Sequence, residues 1–216
     1  STPESLVSIT ILLPTRRACR SLSEAFLRLA DGKPMLLPRM MPLGDIDEDE
    51  LVLSGTGELA GEASFEIAPA IPGLHRQLLL ARMIMARKDS ETTTDQAARL
   101  AQELARLLDQ VQTERLSFDK LDTLVEDAGL SKHWQQTLEF LAILSQHWPD
   151  ILAEKGVLDP AERRNRLLDS QTRLWQQSPP PGPVIAAGST GSIPATADLL
   201  KTVSQMANGS VVLPGL

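Results

Sequence analysis

The sequence predicts an α/β fold in which the two ends of the chain supply the strands of one largely parallel sheet and a mostly α-helical insertion separates them. Three observations carry this. The runs Leu6–Leu13 and Val184–Ala187 are apolar, and each leads through a loop into an amphipathic helix, the strand–loop–helix unit of a parallel sheet. Between them, Leu74 to Gln177 carries helical spacing almost throughout. The spacer Ser178-Pro179-Pro180-Pro181-Gly182-Pro183 then stops the helices, because consecutive prolines lack the donors a helix needs. Right-handed crossovers would place all the strands in one sheet.

The first strand alternates and then runs apolar up to Pro14, as a strand buried on both faces does. Ala18, Leu22, Ala25, Phe26 and Leu29 follow at helical spacing, with Thr15 at the hinge and Cys19 reading as a small buried residue. Met35–Pro38 is a second strand or extended piece, with Pro38 confining it to an edge or ending it. From Gly44 to Glu66 there are eight acids, no base and four glycines, which reads as an exposed loop or meander. Calcium binding there fails on spacing, because Glu50 stands where an EF-hand loop needs its turn glycine.

Within the insertion, Leu74–Met85 reads as one helix. A second runs with Ala97, Leu100, Ala101, Leu104, Leu107, Leu108 and Val111 as its stripe and an Asp95/Arg99 pair on the wet side. Ser117 can cap a short helix through Val125, and Ser131 opens a long one with Trp134, Leu138, Leu141 and Leu144 inward, interrupted near Pro149. Asp159-Pro160-Ala161-Glu162 has the pattern of a helix start: an acidic N-cap, Pro at N1 and a reach-back acid at N3. After Ala187 the loop Gly188–Ser192 leads to a helix opened by Pro194 and closed at Asn208-Gly209, before a last strand at Val211–Leu213. These readings divide the chain into residues 1–73, the first part of the α/β domain with its acidic loop at 44–66; residues 74–178, the helical insertion; and residues 179–216, a truncated second part. A buried-type strand so near the end leads to the expectation that the chain is a fragment of a longer protein.

Composition narrows the function classes. With 21 Lys+Arg against 28 Asp+Glu the net charge is −7, which opposes a free-standing nucleic-acid coat. The acidic stretch 44–66 accounts for −8 of this, so the remaining residues sum to +1. Before Gly44 there are six bases against three acids. A single cysteine excludes an internal disulfide and a Cys-only metal site, and points to a reducing, cytoplasmic setting. No apolar run reaches membrane-spanning length, so no membrane partner is expected.

Candidate chemistry lies in the loops after the two strands, where open α/β sheets bind ligands. Thr15, Arg16 and Arg17 open a helix, with Arg20 one turn on; a hydroxyl, backbone N–H groups and guanidinium groups suit a phosphate, or are solvated arginines on a surface helix. Gly188, Ser189, Thr190 and Gly191 form an anion-binding turn or a tight strand-to-helix connection. No G-x-x-x-x-G-K-[ST] occurs, no acid pair follows Ala187, and Gly55-x-Gly57 breaks off at Ala60, so neither a nucleotide triphosphatase nor a dinucleotide fingerprint is present. His75, His133 and His147 match no zinc motif, Trp134 and Trp148 read as packing anchors, and no residue is assigned a catalytic or metal-binding role.

The run Ile11-Leu-Leu-Pro-Thr-Arg-Arg-Ala18 resembles a segment of the AddB family, the second subunit of a bacterial helicase–nuclease that processes double-strand breaks. Val184-Ile-Ala-Ala-Gly-Ser-Thr-Gly-Ser-Ile-Pro-Ala-Thr196 is similar to that family's counterpart of the third helicase motif. Leu37–Asp45, Gln96–Ala101, His133–Phe140 and Leu158–Ala161 are also similar to AddB chains, in order along nearly the whole sequence. The resemblance implies an incomplete P-loop, UvrD-like helicase domain with its helical subdomain inserted. It further implies that Thr15, Arg16, Arg17, Arg20, Gly188, Ser189, Thr190 and Gly191 meet single-stranded or duplex-end DNA, and that the motor and nuclease subunit AddA is the partner. Where an active relative has an acid pair and Gly-Asp with a following Gln, this sequence has only Gly188-Ser189 and Gly191-Ser192, so the resemblance implies guiding and scaffolding rather than ATP hydrolysis. ATP, Mg and an iron–sulfur cluster would belong only to the full complex. Two other readings remain: an active motor whose nucleotide loop lies upstream of Ser1, and a helical module that binds protein alone.

Overall fold

A computed structural model describes residues 6–31, 33–43, 67–86, 92–118, 141 and 143–215. The chain divides into two compact units, Ser1–Glu66 with Arg166–Leu216, and Ile67–Asn165. The chain is α/β, with the sheet in the first unit and helices making up the second.

The sheet unit holds four parallel strands, β1 (Thr10–Leu13), β2 (Arg39–Pro42), β3 (Val184–Ala187) and β4 (Gly209–Val212), in the order β2-β1-β3-β4. Helix α1 (Arg16–Leu29) links β1 to β2, and α6 (Pro194–Gln205) links β3 to β4. The pleat sorts the strand residues. Leu12, Met41, Val184 and Ala186 share one face and pack with Ala195, Leu199, Leu200 and Val203 of α6 and with Leu168 and Trp175 of α5 (Pro160–Gln177). Ile11, Leu13 and Met40 take the other face, where the Ser23 hydroxyl of α1 lies 3.4 Å from Met40 Sδ. That side is the thinner one, since α1 buries none of its residues and Cys19, expected to be buried, is half-buried.

The second strand differs from the sequence reading. Residues 35–38 form no strand, and β2 begins at Arg39, whose N–H donates to Ile9 O at 2.9 Å. Pro42 is tolerated because β2 is an edge strand and Pro42 closes it. The first strand is also shorter than the apolar run, because Leu6–Ser8 form turns before Thr10 N–H bonds Pro183 O at 2.9 Å.

In the helical unit, α2 (Gly73–Met85) packs on α3 (Thr94–Thr113). Thr93 and Gln96 form a reciprocal capping box at the start of α3, and Asp95–Arg99 pair at 3.0 Å on its exposed side. Ala97, Ala101, Leu104 and Leu108 of α3 meet Leu80, Ala81 and Ile84 of α2, with Leu144 and Trp148 completing the core. The interruption expected near Pro149 is a π-helical turn, Ile143–His147, running into α4 (Trp148–Lys155). Pro149 has no N–H to donate to Ser145, so the regular i→i+4 ladder cannot continue there. Gly156 closes α4 with a left-handed φ of 63°, a conformation glycine adopts freely.

The helical unit closes on itself at its base. Ile71 N–H donates to Leu158 O at 2.8 Å and Leu158 N–H to Pro69 O at 2.9 Å, so the segments before α2 and before α5 run side by side. The compact unit spans residues 67–165, against the 74–178 marked by helical spacing. The difference arises within α5, whose Leu168 and Trp175 belong to the core of the sheet. The acidic loop 44–66, the helix from Ser117 to Val125 beyond Phe118, and the start of the long helix at Ser131 with His133, Trp134 and Leu138 lie outside the described residues. No helix among the described residues is long and apolar enough to cross a membrane.

Candidate anion-binding edge of the sheet

The order β2-β1-β3-β4 makes the β1/β3 boundary the point at which the chain's course divides. From β1 the chain passes outward to β2, and from β3 it passes outward the other way to β4. Because Thr10 and Leu12 stand beside Val184 and Ala186 in parallel register, the carboxyl ends of both strands open at one edge, and the loops that leave them part there. Such a point is where open α/β sheets leave a crevice for ligands.

Both sequence-selected loops lie at that edge. Pro14 and Thr15 follow β1, and Gly188–Ile193 follow β3. The loops adjoin: a Cβ at Gly188 would be 3.5 Å from Pro14 Cδ. Gly188 N–H donates to Val212 O at 2.9 Å, fixing the start of its loop to the neighbouring strand. Gly188 and Gly191 take φ of 77° and 67°, left-handed values that favour glycine. Within the turn, Gly191 N–H donates to Ser189 Oγ and the Thr190 hydroxyl donates to Ser192 Oγ, each at 3.4 Å.

Thr15 is the N-cap of α1, in extended conformation, with Oγ1 accepting from Ala18 N at 3.2 Å. It is exposed, as are Arg17 and Arg20, while Arg16 is half-buried. Helices α1 and α6 both begin at this edge, and neither has an acid in its first turn. In α1 the first turn instead carries Arg16 and Arg17. Cations at a helix N-terminus oppose the macrodipole by about 0.3–1 kcal/mol each, so the first turn of α1 adds positive charge to this edge. Thr15, Arg16, Arg17, Gly188, Ser189, Thr190 and Gly191 are thus gathered at one edge, with Arg20 one turn along α1.

Among the described residues there is no cluster of three or more His, Cys, Asp and Glu side chains able to hold a metal. His75 and His147 are exposed, and Trp148 is 1 % exposed, a packing residue as its amphipathic setting indicates.

A second polar constellation is one that sequence reasoning misses. In the helical unit the Asp159 carboxylate, fully buried, accepts from Trp148 Nε1 at 2.9 Å and from Gln112 Nε2 at 2.8 Å through Oδ2. Its Oδ1 lies 2.8 Å from Arg76 Nε, an ionic contact whose N–H direction falls short of hydrogen-bond alignment. Arg76, with its side chain 5 % exposed, also bonds Asp109 through Nη1 at 2.9 Å. Its place before Pro160 reads as a helix N-cap, yet the Asp159 carboxylate ties three other segments together. The available signal is Arg76 itself, one of two arginines among the apolar residues of α2. Arg76 lies on the buried side of α2 with Leu80 and Ile84, while Leu74 and Leu78 are 72 % and 55 % exposed. The sequence matches no protein-family model and no curated protein sequence.

Proposed function

We propose that this chain is the helicase-like N-terminal region of an AddB-type subunit, part of a bacterial helicase–nuclease that processes DNA double-strand breaks for recombinational repair. In that role it guides DNA and acts as a scaffold beside a motor and nuclease subunit of the AddA type, in the cytoplasm, without hydrolysing ATP itself. Thr15, Arg16, Arg17 and Arg20 hold strand phosphates, and Gly188–Gly191 flank them. The observation that carries the reading is the meeting of the two loops at the β1/β3 edge, where two helix N-termini begin without first-turn acids and the first carries Arg16 and Arg17. The resemblance of both loops to AddB segments supplies DNA as the anion. Gly188-Ser189 and Gly191-Ser192, standing where an active relative has an acid pair and Gly-Asp, support guiding over hydrolysis.

The test is a salt titration of single-stranded DNA binding by the chain, alone and with its motor subunit. Every arginine that neutralises a phosphate of a single strand adds about 0.7 to the steepness of log K against log salt, so Arg17→Ala/Arg20→Ala should lower the slope by about 1.4. Affinity at 0.1 M salt should fall about twentyfold, by the same relation. Unchanged affinity and slope in both settings would overturn the assignment.

A further inference from the structure

Helix α1 carries cations beyond the residues placed at the sheet edge. Arg17, Arg20 and Arg28 are all exposed, and none makes an ion pair among the described residues. At about 100° per residue they fall within about 80° of one another around the helix, so they line one solvent-facing side. From Arg17 to Arg28 the helix rises about 16 Å. That exceeds the reach of one phosphate and matches about five nucleotides at the axial spacing of one strand of B-form DNA, fewer if the strand is extended. Leu27, seven residues on from Arg20 and therefore on the same side, is 57 % exposed and offers apolar surface to a base.

Glu24 sits on this side as well, four residues from Arg20 and four from Arg28. It is exposed, and it pairs with neither arginine although i,i+4 spacing permits both. Arg28 in the last turn is favoured by the helix dipole, whereas Arg17 and Arg20 near the first turn are not. A polyanion laid along the helix gives all three one role.

We infer that the anion site at the end of β1 continues along α1 as a track for a single nucleic-acid strand, with Arg28 as its far phosphate contact and Glu24 as a repulsive break between. This rests on the phosphate-binding reading of Arg17 and Arg20. The track makes affinity depend on strand length and makes Glu24 a restraint on it.

Fluorescent thymidine oligonucleotides of two to twelve residues are titrated against the 216-residue chain and its variants at several salt concentrations. The altered side chains are all exposed, so folding is checked by circular dichroism alone. The track requires affinity to rise with length up to about five nucleotides before levelling, and Arg28→Ala to lower the salt slope by about 0.7, as Arg17→Ala and Arg20→Ala do separately. Glu24→Lys adds one neutralised phosphate, about fivefold in affinity at 0.1 M salt by the same relation, whereas Glu154→Lys, the same charge change on the exposed part of α4, leaves affinity within about twofold. An effect of Arg17→Ala and Arg20→Ala without any effect of Arg28→Ala or Glu24→Lys, and with affinity level from two nucleotides, overturns the track and leaves the phosphate site standing. Equal gains from Glu24→Lys and Glu154→Lys overturn the track as a mere effect of net charge. No binding by any oligonucleotide, or no effect of any variant, overturns both.

Discussion

Gly182 occupies a place where a side chain does not fit. A Cβ there would overlap the carbonyl oxygen of Ser8, next to the point where Thr10 N–H bonds Pro183 and opens the β1–β3 pairing. Gly182→Ala should therefore cost about 1–3 kcal/mol, seen as a lowered midpoint in urea unfolding. Gly73, with nothing within 4 Å of its notional Cβ, is the control: Gly73→Ala should be neutral or stabilise by up to about 1 kcal/mol. Asp159 is the opposite kind of residue, fixed by what it holds. Asp159→Ala leaves the buried Arg76 cation with Asp109 alone and the Trp148 and Gln112 donors without their acceptor, and should destabilise the helical unit by about 3–5 kcal/mol. Because desolvating both charges already offsets much of their attraction, Arg76→Met/Asp159→Leu should recover part of that loss, the Trp148 and Gln112 donors still lacking their acceptor. A double-mutant cycle in urea measures the coupling, and a double variant no more stable than Asp159→Ala contradicts this account.

The elements take their limits from caps more than from propensity. Thr15 and Thr93 each accept a backbone N–H at the start of a helix, and alanine at either should cost about 1 kcal/mol, with Thr15→Ser within a few tenths. At Thr15 this separates the cap from the anion site. Thr15→Ser should keep both stability and DNA affinity, while Arg17→Ala/Arg20→Ala should lower affinity at unchanged melting temperature. Which side of a helix faces inward was less legible than the helix itself. The apolar spacing of α3 points inward through Ala97, Ala101, Leu104 and Leu108. In α2 the same logic fails at Leu74 and Leu78, because Leu80, Ala81 and Ile84 form the inward side together with Arg76, which meets Asp159 there. Asp159 lies 83 residues along the chain from Arg76, outside any local window.

At the scale of the molecule, the helical unit has its own core and a closed base, the Ala70–Leu158 bridge. A fragment of residues 67–165 should fold alone, with a helical circular dichroism spectrum and a cooperative melt; a spectrum without cooperative melting would show that it needs the rest of the chain. The sheet is sealed on one face by α5 and α6 and more lightly on the other by α1. Parallel sheets ordinarily bury both faces, and the thin side is the one from which α1 offers its arginines to solvent.

The parallel sheet, the helical insertion, the start of α5 at Pro160 and the two candidate loops were legible in the sequence because each is local: an apolar run, a 3.6-residue period, a proline after an acid, a glycine-rich turn. Strand order was not, and neither was the place of β2 at Arg39–Pro42, because hydrogen bonding to β1 chose those residues over the more apolar Met35–Leu37. Tertiary structure also brought Pro14 against Gly188, 174 residues apart in sequence, and set Asp159 beneath Arg76. Pairing, burial and charge compensation act between distant residues, and only the folded chain decides which of them meet.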